Sequence, residues 1–286
     1  MTRRLESMER TASTDDPLIE ADGITRSYGG VAVLRDASVG FTPGLTVVIG
    51  PNGSGKSTLL GTLVGQVPPV SGEVRRHGPA VDGRIGYLPQ DVPFRDAFTA
   101  RETLAFYARL IGVEGAVDEG GDGAVDNALA GVGLADAGDR RVDALSGGMR
   151  RLLGIAVATL GDPPVVVLDE PTSGLDPGMR ERAFAAAGER AGTGTAVVVS
   201  THDLELAEAY ADHVVALHRG RVADAGPIER LLANHGVDDL AGLYRSVVGA
   251  DPAGEGSSAA AGDDAEAKPT GGEDDAAVHV PGVSDR

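Results

Sequence analysis

The stretch GPNGSGKST, residues Gly50 to Thr58, decides the fold. It holds Lys56, one of only two lysines in the chain, the other being Lys268. Glycines at 50, 53 and 55 let successive backbone N–H groups turn inward, where they bind phosphate oxygens. Gly50, Gly55, Lys56 and Ser57 fit G-x-x-x-x-G-K-[ST], in which the lysine reaches the β- and γ-phosphates and the hydroxyl serves Mg²⁺. With so few lysines, a chance match has a probability of about 0.005. The context the motif demands is also present. LTVVIG (45–50) has the β-branched run of a buried strand, and KSTLLGTLVGQ (56–66) continues as a helix whose N-terminus faces the same anion.

Outward from this loop, 286 residues make one large domain or two small ones, with an α/β pattern of elements. Residues 17–44 read as short strands, with Gly29-Gly30 as a hairpin turn. RIGYLPQ (84–90) reads as a further strand. TARETLAFYARLIG (99–112) has helical apolar spacing, and Thr99 with Glu102 fits a capping box. VEGAVDEGGDGAVD (113–126) is acidic and glycine-rich and is expected to be an exposed loop. LSGGMRRLLGIAVATLG (145–161) reads as a turn feeding an apolar helix. Strands return at PVVVLDE and TAVVVSTHD, with MRERAFAAAGERA as the helix between them. A hairpin around Gly220 and two short helices close the domain.

Residues 1–16 are polar and expected to be flexible, with no apolar run to make a secretory signal. Residues 250–286 form an acidic, low-complexity tail, expected to be disordered and solvated without a partner. No apolar run approaches the roughly 18 residues that a membrane helix needs. The net charge of −18, from 25 basic and 43 acidic residues, disfavours loose binding to nucleic acid or anionic lipid. The acid-rich, lysine-poor composition resembles that of proteins from salt-loving cells, with codon bias as the other explanation. The absence of cysteine excludes disulfides and thiolate metal sites.

Two further stretches carry chemistry. VVVLDE (165–170) is an apolar strand that would deliver Asp169 to Mg²⁺ at its C-terminal end. Glu170 points elsewhere by strand alternation, and is either a base for an attacking water or a surface acid. LSGGM offers Ser146, Gly147 and Gly148 at a helix start, which is either a second anion site or an ordinary serine cap.

GPNGSGKST, YLPQ, LSGGM, VVVLDEPTSGLD and STHD occur in this order, and together they resemble the ATP-binding subunit of ABC transporters. The resemblance covers residues 17–249. It implies a RecA-like P-loop NTPase core with an N-terminal antiparallel β part and a helical subdomain inserted over about 93–162. It implies that ATP is bound by Gly50, Pro51, Asn52, Gly53, Ser54, Gly55, Lys56, Ser57 and Thr58, with Mg²⁺ held by Ser57, Gln90 and Asp169. Tyr28 would stack on adenine, a core tyrosine being the alternative. Glu170, His202 and Gln90 would be catalytic. Ser146, Gly147 and Gly148 would touch the ATP of a second protomer, with Asp176 at that seam. The implied partners are a separate membrane permease and a second ATP-binding subunit, in a homodimer, with no nucleic acid. The implied place is the cytoplasm, peripheral on the inner face of the membrane. Met149 departs from the glutamine that usually ends the signature and resembles exporter-type relatives, which implies export. A soluble ATPase of the same type acting on nucleic acid or ribosomes is the alternative, and a P-loop kinase or GTPase is a third, opposed by LSGGM and STHD.

Overall fold

The computed structural model describes residues 16–113 and 123–249. The expected flexible N-terminus up to residue 15 and the acidic tail lie outside the described residues, as does most of the expected acidic loop.

Strands β1 (Ile19–Tyr28) and β2 (Val31–Phe41) form the predicted antiparallel hairpin. Its two turn residues, Gly29 and Gly30, have φ of 54° and 84°. A two-residue type I′ turn, whose twist matches the strands, requires φ > 0 at both positions, which glycine adopts without steric cost. Strand β4 (Ser71–Arg76) pairs with the other edge of β1 to complete a three-stranded sheet.

The second sheet has six strands. They are β3 (Gly44–Ile49), β5 (Ile85–Leu88), β6 (Val165–Asp169), β7 (Ala196–Ser200), β8 (His213–His218) and β9 (Arg221–Pro227). Their order is β5-β6-β7-β3-β8-β9, with the first five parallel and β9 antiparallel to β8. Helices cover this sheet: α1 (Lys56–Leu63), α2 (Ala100–Leu110), α3 (Ala124–Gly131), α4 (Gly147–Thr159), α5 (Pro177–Ala191), α6 (Leu204–Tyr210), α7 (Ile228–His235) and α8 (Leu240–Gly249). Both faces of the central strands are buried, which explains their unbroken apolar sequences. Val166, Leu168, Val197 and Val199 share one core with residues of α2, α3, α4 and α5. Val165, Val167, Ala196 and Val198 share the other with α1 and the three-stranded sheet.

Strand β4 and helix α6 were not expected, and two further elements differ from expectation. Ala124 to Asp126, expected in the acidic loop, begin α3, whose Val125 and Leu129 are buried. Helix α1 is shorter than the sequence suggests and ends at Leu63, before Gly65 at φ 79°.

Helices α2, α3 and α4 fall between β5 and β6. The chain entering α2 is sewn to the chain that leads toward α4. Val142 donates to the Phe98 carbonyl at 2.8 Å, Ala100 to Arg140 at 3.0 Å and Arg101 to Gly138 at 2.8 Å. The capping box at Thr99 and Glu102 is formed as predicted.

Helix α4 packs on β5 through glycines. A Cβ at Gly86 would stand 1.8 Å from the Ala158 carbonyl oxygen, and one at Gly154 would stand 2.5 Å from Leu88 Cδ1. The obstacle at Gly86 is backbone, which cannot rotate aside. Gly86→Ala is therefore expected to destabilise the chain by about 1–3 kcal/mol through overpacking. A denaturant midpoint equal to that of the parent would refute this close approach.

Candidate active site

Strand β3 ends at Ile49 and the phosphate-loop sequence begins. Gly50 has no room for a side chain, since a Cβ there would lie 2.1 Å from the Leu217 carbonyl oxygen. Gly55, at φ 107°, precedes the first turn of α1, and a Cβ there would lie 2.9 Å from the Val33 carbonyl oxygen. Both glycines are thus fixed by backbone geometry and packing. Lys56 opens α1 and is buried, and its Nζ donates to the Gly50 carbonyl at 2.8 Å and to the Pro51 carbonyl at 3.3 Å. Burial lowers the pKa of this ammonium, while the Glu170 and Asp169 carboxylates oppose the shift.

Strand β6 brings Asp169 to the same place. Its Oδ1 accepts from Ser57 Oγ at 3.2 Å and from Ser200 Oγ at 2.6 Å, and the residue is buried. Glu170 leaves the strand at φ 49°, so its direction comes from a left-handed backbone rather than from strand alternation. Its N–H donates to Ser200 Oγ at 2.8 Å. Its Oε1 lies 2.8 Å from His202 Nε2. A cavity of about 470 Å³ is lined by Asn52, Gly53, Gly55, Lys56, Ser57, Thr58, Gln90, Glu170 and His202, among others. The phosphate loop, the glutamine, the acid and the histidine predicted from sequence are therefore gathered at one opening.

Other predicted residues lie apart from this cavity. Ser146 caps α4, its Oγ accepting from Met149 N at 3.2 Å, and Ser146 and Gly147 are exposed. Asp176 caps α5, accepting from Met179 N at 3.0 Å. Tyr28 is 46% exposed at the end of β1, with the Arg26 guanidinium 4.5 Å from its ring centre, so it is not a core residue. One ring face is thereby occupied.

Two residues at the site were not anticipated. Ser200 ends β7 and links Asp169 to the Glu170 backbone. Arg151, buried in α4, donates from Nη1 to the Pro89 and Gln90 carbonyls, both at 2.7 Å. From Nη2 it donates to the Asp169 carbonyl and, at 2.9 Å, to that of Glu170. Burial lowers its pKa, opposed by Asp169, Asp91 and Glu170. The available signal was an arginine directly before the run LLGIA (152–156) of an apolar helix.

A family model described as ABC transporter matches residues 34–173. The hemin import ATP-binding protein of Streptomyces coelicolor is 37% identical over 231 residues, 78% of this chain and 82% of that protein. The Nod factor export ATP-binding protein I of Mesorhizobium japonicum is 33% identical over 243 residues, 82% and 70% of the two chains. Among solved structures, one described as the ATP binding subunit of an ABC transporter superposes with a TM-score of 0.71 at 26% identity. It covers 80% of this chain and 99% of that one.

The electrostatics of Glu170 generate a measurable signature. Burial raises its pKa, His202 and Lys56 pull it back, and Asp169 adds to the rise. Unfolded, the carboxyl titrates near 4.5, so the fold holds more protons than the unfolded chain between that value and the raised one. This group's contribution to stability therefore falls as pH rises through that window. Glu170→Gln should lose that slope and gain stability relative to the parent as pH rises above 4.5. Identical pH slopes in thermal unfolding of the two chains would contradict the burial effect.

Proposed function

The chain belongs to the ABC transporter family as an ATP-binding subunit, an ATPase. From that premise we propose that two copies close around two Mg-ATP and power a separate membrane permease. The observation that carries this reading is the convergence of Lys56, Ser57, Glu170 and His202 on one cavity, with the buried Asp169 joined to it through Ser57 and Ser200.

In this reading the Gly50–Thr58 backbone and the first turn of α1 cradle the phosphates, where the helix dipole favours anions. The Lys56 ammonium, held over its own loop by two carbonyls, exchanges those partners for phosphate oxygens. Glu170 takes a proton from the attacking water, for which a raised carboxyl pKa is suited. His202 fixes the Glu170 carboxylate by its 2.8 Å contact. Family members use ATP together with Mg²⁺, and the donor set fits that ion. Ser57 and Asp169 offer only hard oxygens, 3.2 Å apart, with Gln90 at the same opening. Bound there, Mg²⁺ would neutralise charge on the β- and γ-phosphates.

Ser146 and Gly147 are exposed at the start of α4 and away from their own cavity, which suits them to complete a site in a second copy. Asp176, capping the adjacent α5, is proposed for the same seam, and Tyr28 for adenine on its open face. We assign the chain to the cytoplasmic face of a membrane as the partner of that permease; no helix among the described residues is long and apolar enough to cross a membrane. The net charge of −18 opposes a nucleic-acid partner. Export rests on Met149 alone, since similar relatives are named for import and for export. Copurification with a hydrophobic permease and transport into inverted vesicles test partner and direction together.

Glu170→Gln should lower kcat by about 10²–10⁴, as loss of a general base does, while ATP binding persists. The variant should elute as a dimer with ATP. Undiminished turnover would refute the assignment. Tyr28→Ala should weaken ATP and GTP binding alike by about 1–3 kcal/mol, the worth of a stacked base. Unchanged affinity for both would remove Tyr28 from the site.

A further inference from the structure

We propose that Arg151 is a positioning residue of the ATPase, a single guanidinium that ties the helix begun at Ser146 to the segments carrying Gln90 and Glu170. The inference rests on the assignment of Glu170 to the attacking water.

The four acceptors of Arg151 are all main-chain carbonyls: Pro89, Gln90, Asp169 and Glu170. They lie at or just past the C-terminal ends of β5 and β6, which are neighbours in the sheet. Each terminal nitrogen of the guanidinium serves one segment, so the planar fork spans the gap between them. Bonds to carbonyls fix where the backbone runs, and therefore where the next side chains start. The buried Nε has no hydrogen-bond partner among the described residues. The side chain's grip on the protein is therefore made wholly at these two segment ends.

Helix α4 holds the guanidinium at a fixed height. Arg151 lies one turn before Ile155 and close to the face on which Gly154 and Ala158 approach β5. The helix cannot slide without moving its arginine. Five residues before Arg151 stands Ser146, which caps the helix. A displacement of the Gln90 segment thus meets α4 directly at Arg151.

The effect on Glu170 follows from its backbone. A non-glycine residue at φ 49° is in a sparsely populated region, and such conformations cost about 1–3 kcal/mol unless the surroundings hold them. Three bonds hold this one: Glu170 N–H to Ser200 Oγ, Ser173 N–H to the Glu170 carbonyl at 3.1 Å, and Arg151 Nη2 to the same carbonyl. Without the guanidinium that carbonyl keeps only its turn partner Ser173, and the residue can relax toward the strand region and swing its carboxylate away from His202. Phosphate binding by the Gly50–Thr58 loop touches none of these bonds.

Turnover should therefore suffer where nucleotide binding does not. The full chain and its Arg151→Lys, Arg151→Gln, Arg151→Leu and Glu170→Gln variants would be compared by thermal unfolding, affinity for a fluorescent ATP analogue, and Mg-ATP hydrolysis. Misplacement of a reacting group costs up to ~10²-fold, so Gln and Leu should lower kcat at least about tenfold. KM and analogue affinity should stay within about twofold, the pattern of an interaction needed only in the transition state. Lysine, with fewer donors but the same charge, should restore part of kcat. Unchanged kcat in Arg151→Gln, or a parallel fall of kcat and affinity in Gln and Lys alike, would overturn the proposal. If Arg151→Leu does not fold, the Lys and Gln variants decide. Persistent hydrolysis by Glu170→Gln would instead overturn the assignment of Glu170. Normal turnover in Arg151→Gln beside a dead Glu170→Gln would overturn the positioning role alone.

Discussion

Asp169 and Ser200 are cross-strand partners at the ends of β6 and β7, and Ser200 also pairs with Val48 of β3. Two residues after Val48 the phosphate loop begins. This shared register sets the distance between the loop and the carboxylates, because three parallel strands terminate together. A slip of one residue would turn Asp169 to the opposite face of the sheet and leave Ser57 without its acceptor. The buried Val and Leu side chains on both faces forbid that slip.

The charges inside this frame are chosen by shape. Lys56 faces two carbonyls of its own loop, which converge on one point, and a slim ammonium fits that space. Arg151 faces two pairs of carbonyls on separate segments, which only a planar fork with several donors can serve. A chain with 23 arginines and 2 lysines places one of each at its site, and the two are not exchangeable there. Beside them stand Asp169 and Glu170, so the strongly acidic chain has a locally balanced centre.

The parts of this centre that were legible in the sequence are local. A glycine loop, a strand ending in Asp169 and a capping serine each show their chemistry within a few residues. Hairpins were readable from Gly29-Gly30 and Gly220 for the same reason. Strand β4, SGEVRR, was not, because it is an exposed edge whose pairing is dictated by β1 and not by an apolar pattern. Helices α3 and α6 are short, with 8 and 7 residues, too brief for periodicity to declare. Ser200 and Arg151 escaped notice because their partners are distant. Arg151 meets Gln90 across 61 positions and Asp169 across 18. The left-handed turn at Glu170 was hidden too, since strand alternation already gave a plausible direction for its side chain.

The hydrogen bonds that sew residues 98–101 to 138–142 have a mechanical meaning. A single-stranded connection absorbs a push by bending, but a laced pair resists bending and passes the push along as a beam does. One limb of this beam begins eight residues after Gln90, and the other ends four residues before Ser146. A push on the first limb therefore has a path to Ser146 that is separate from the Arg151 link.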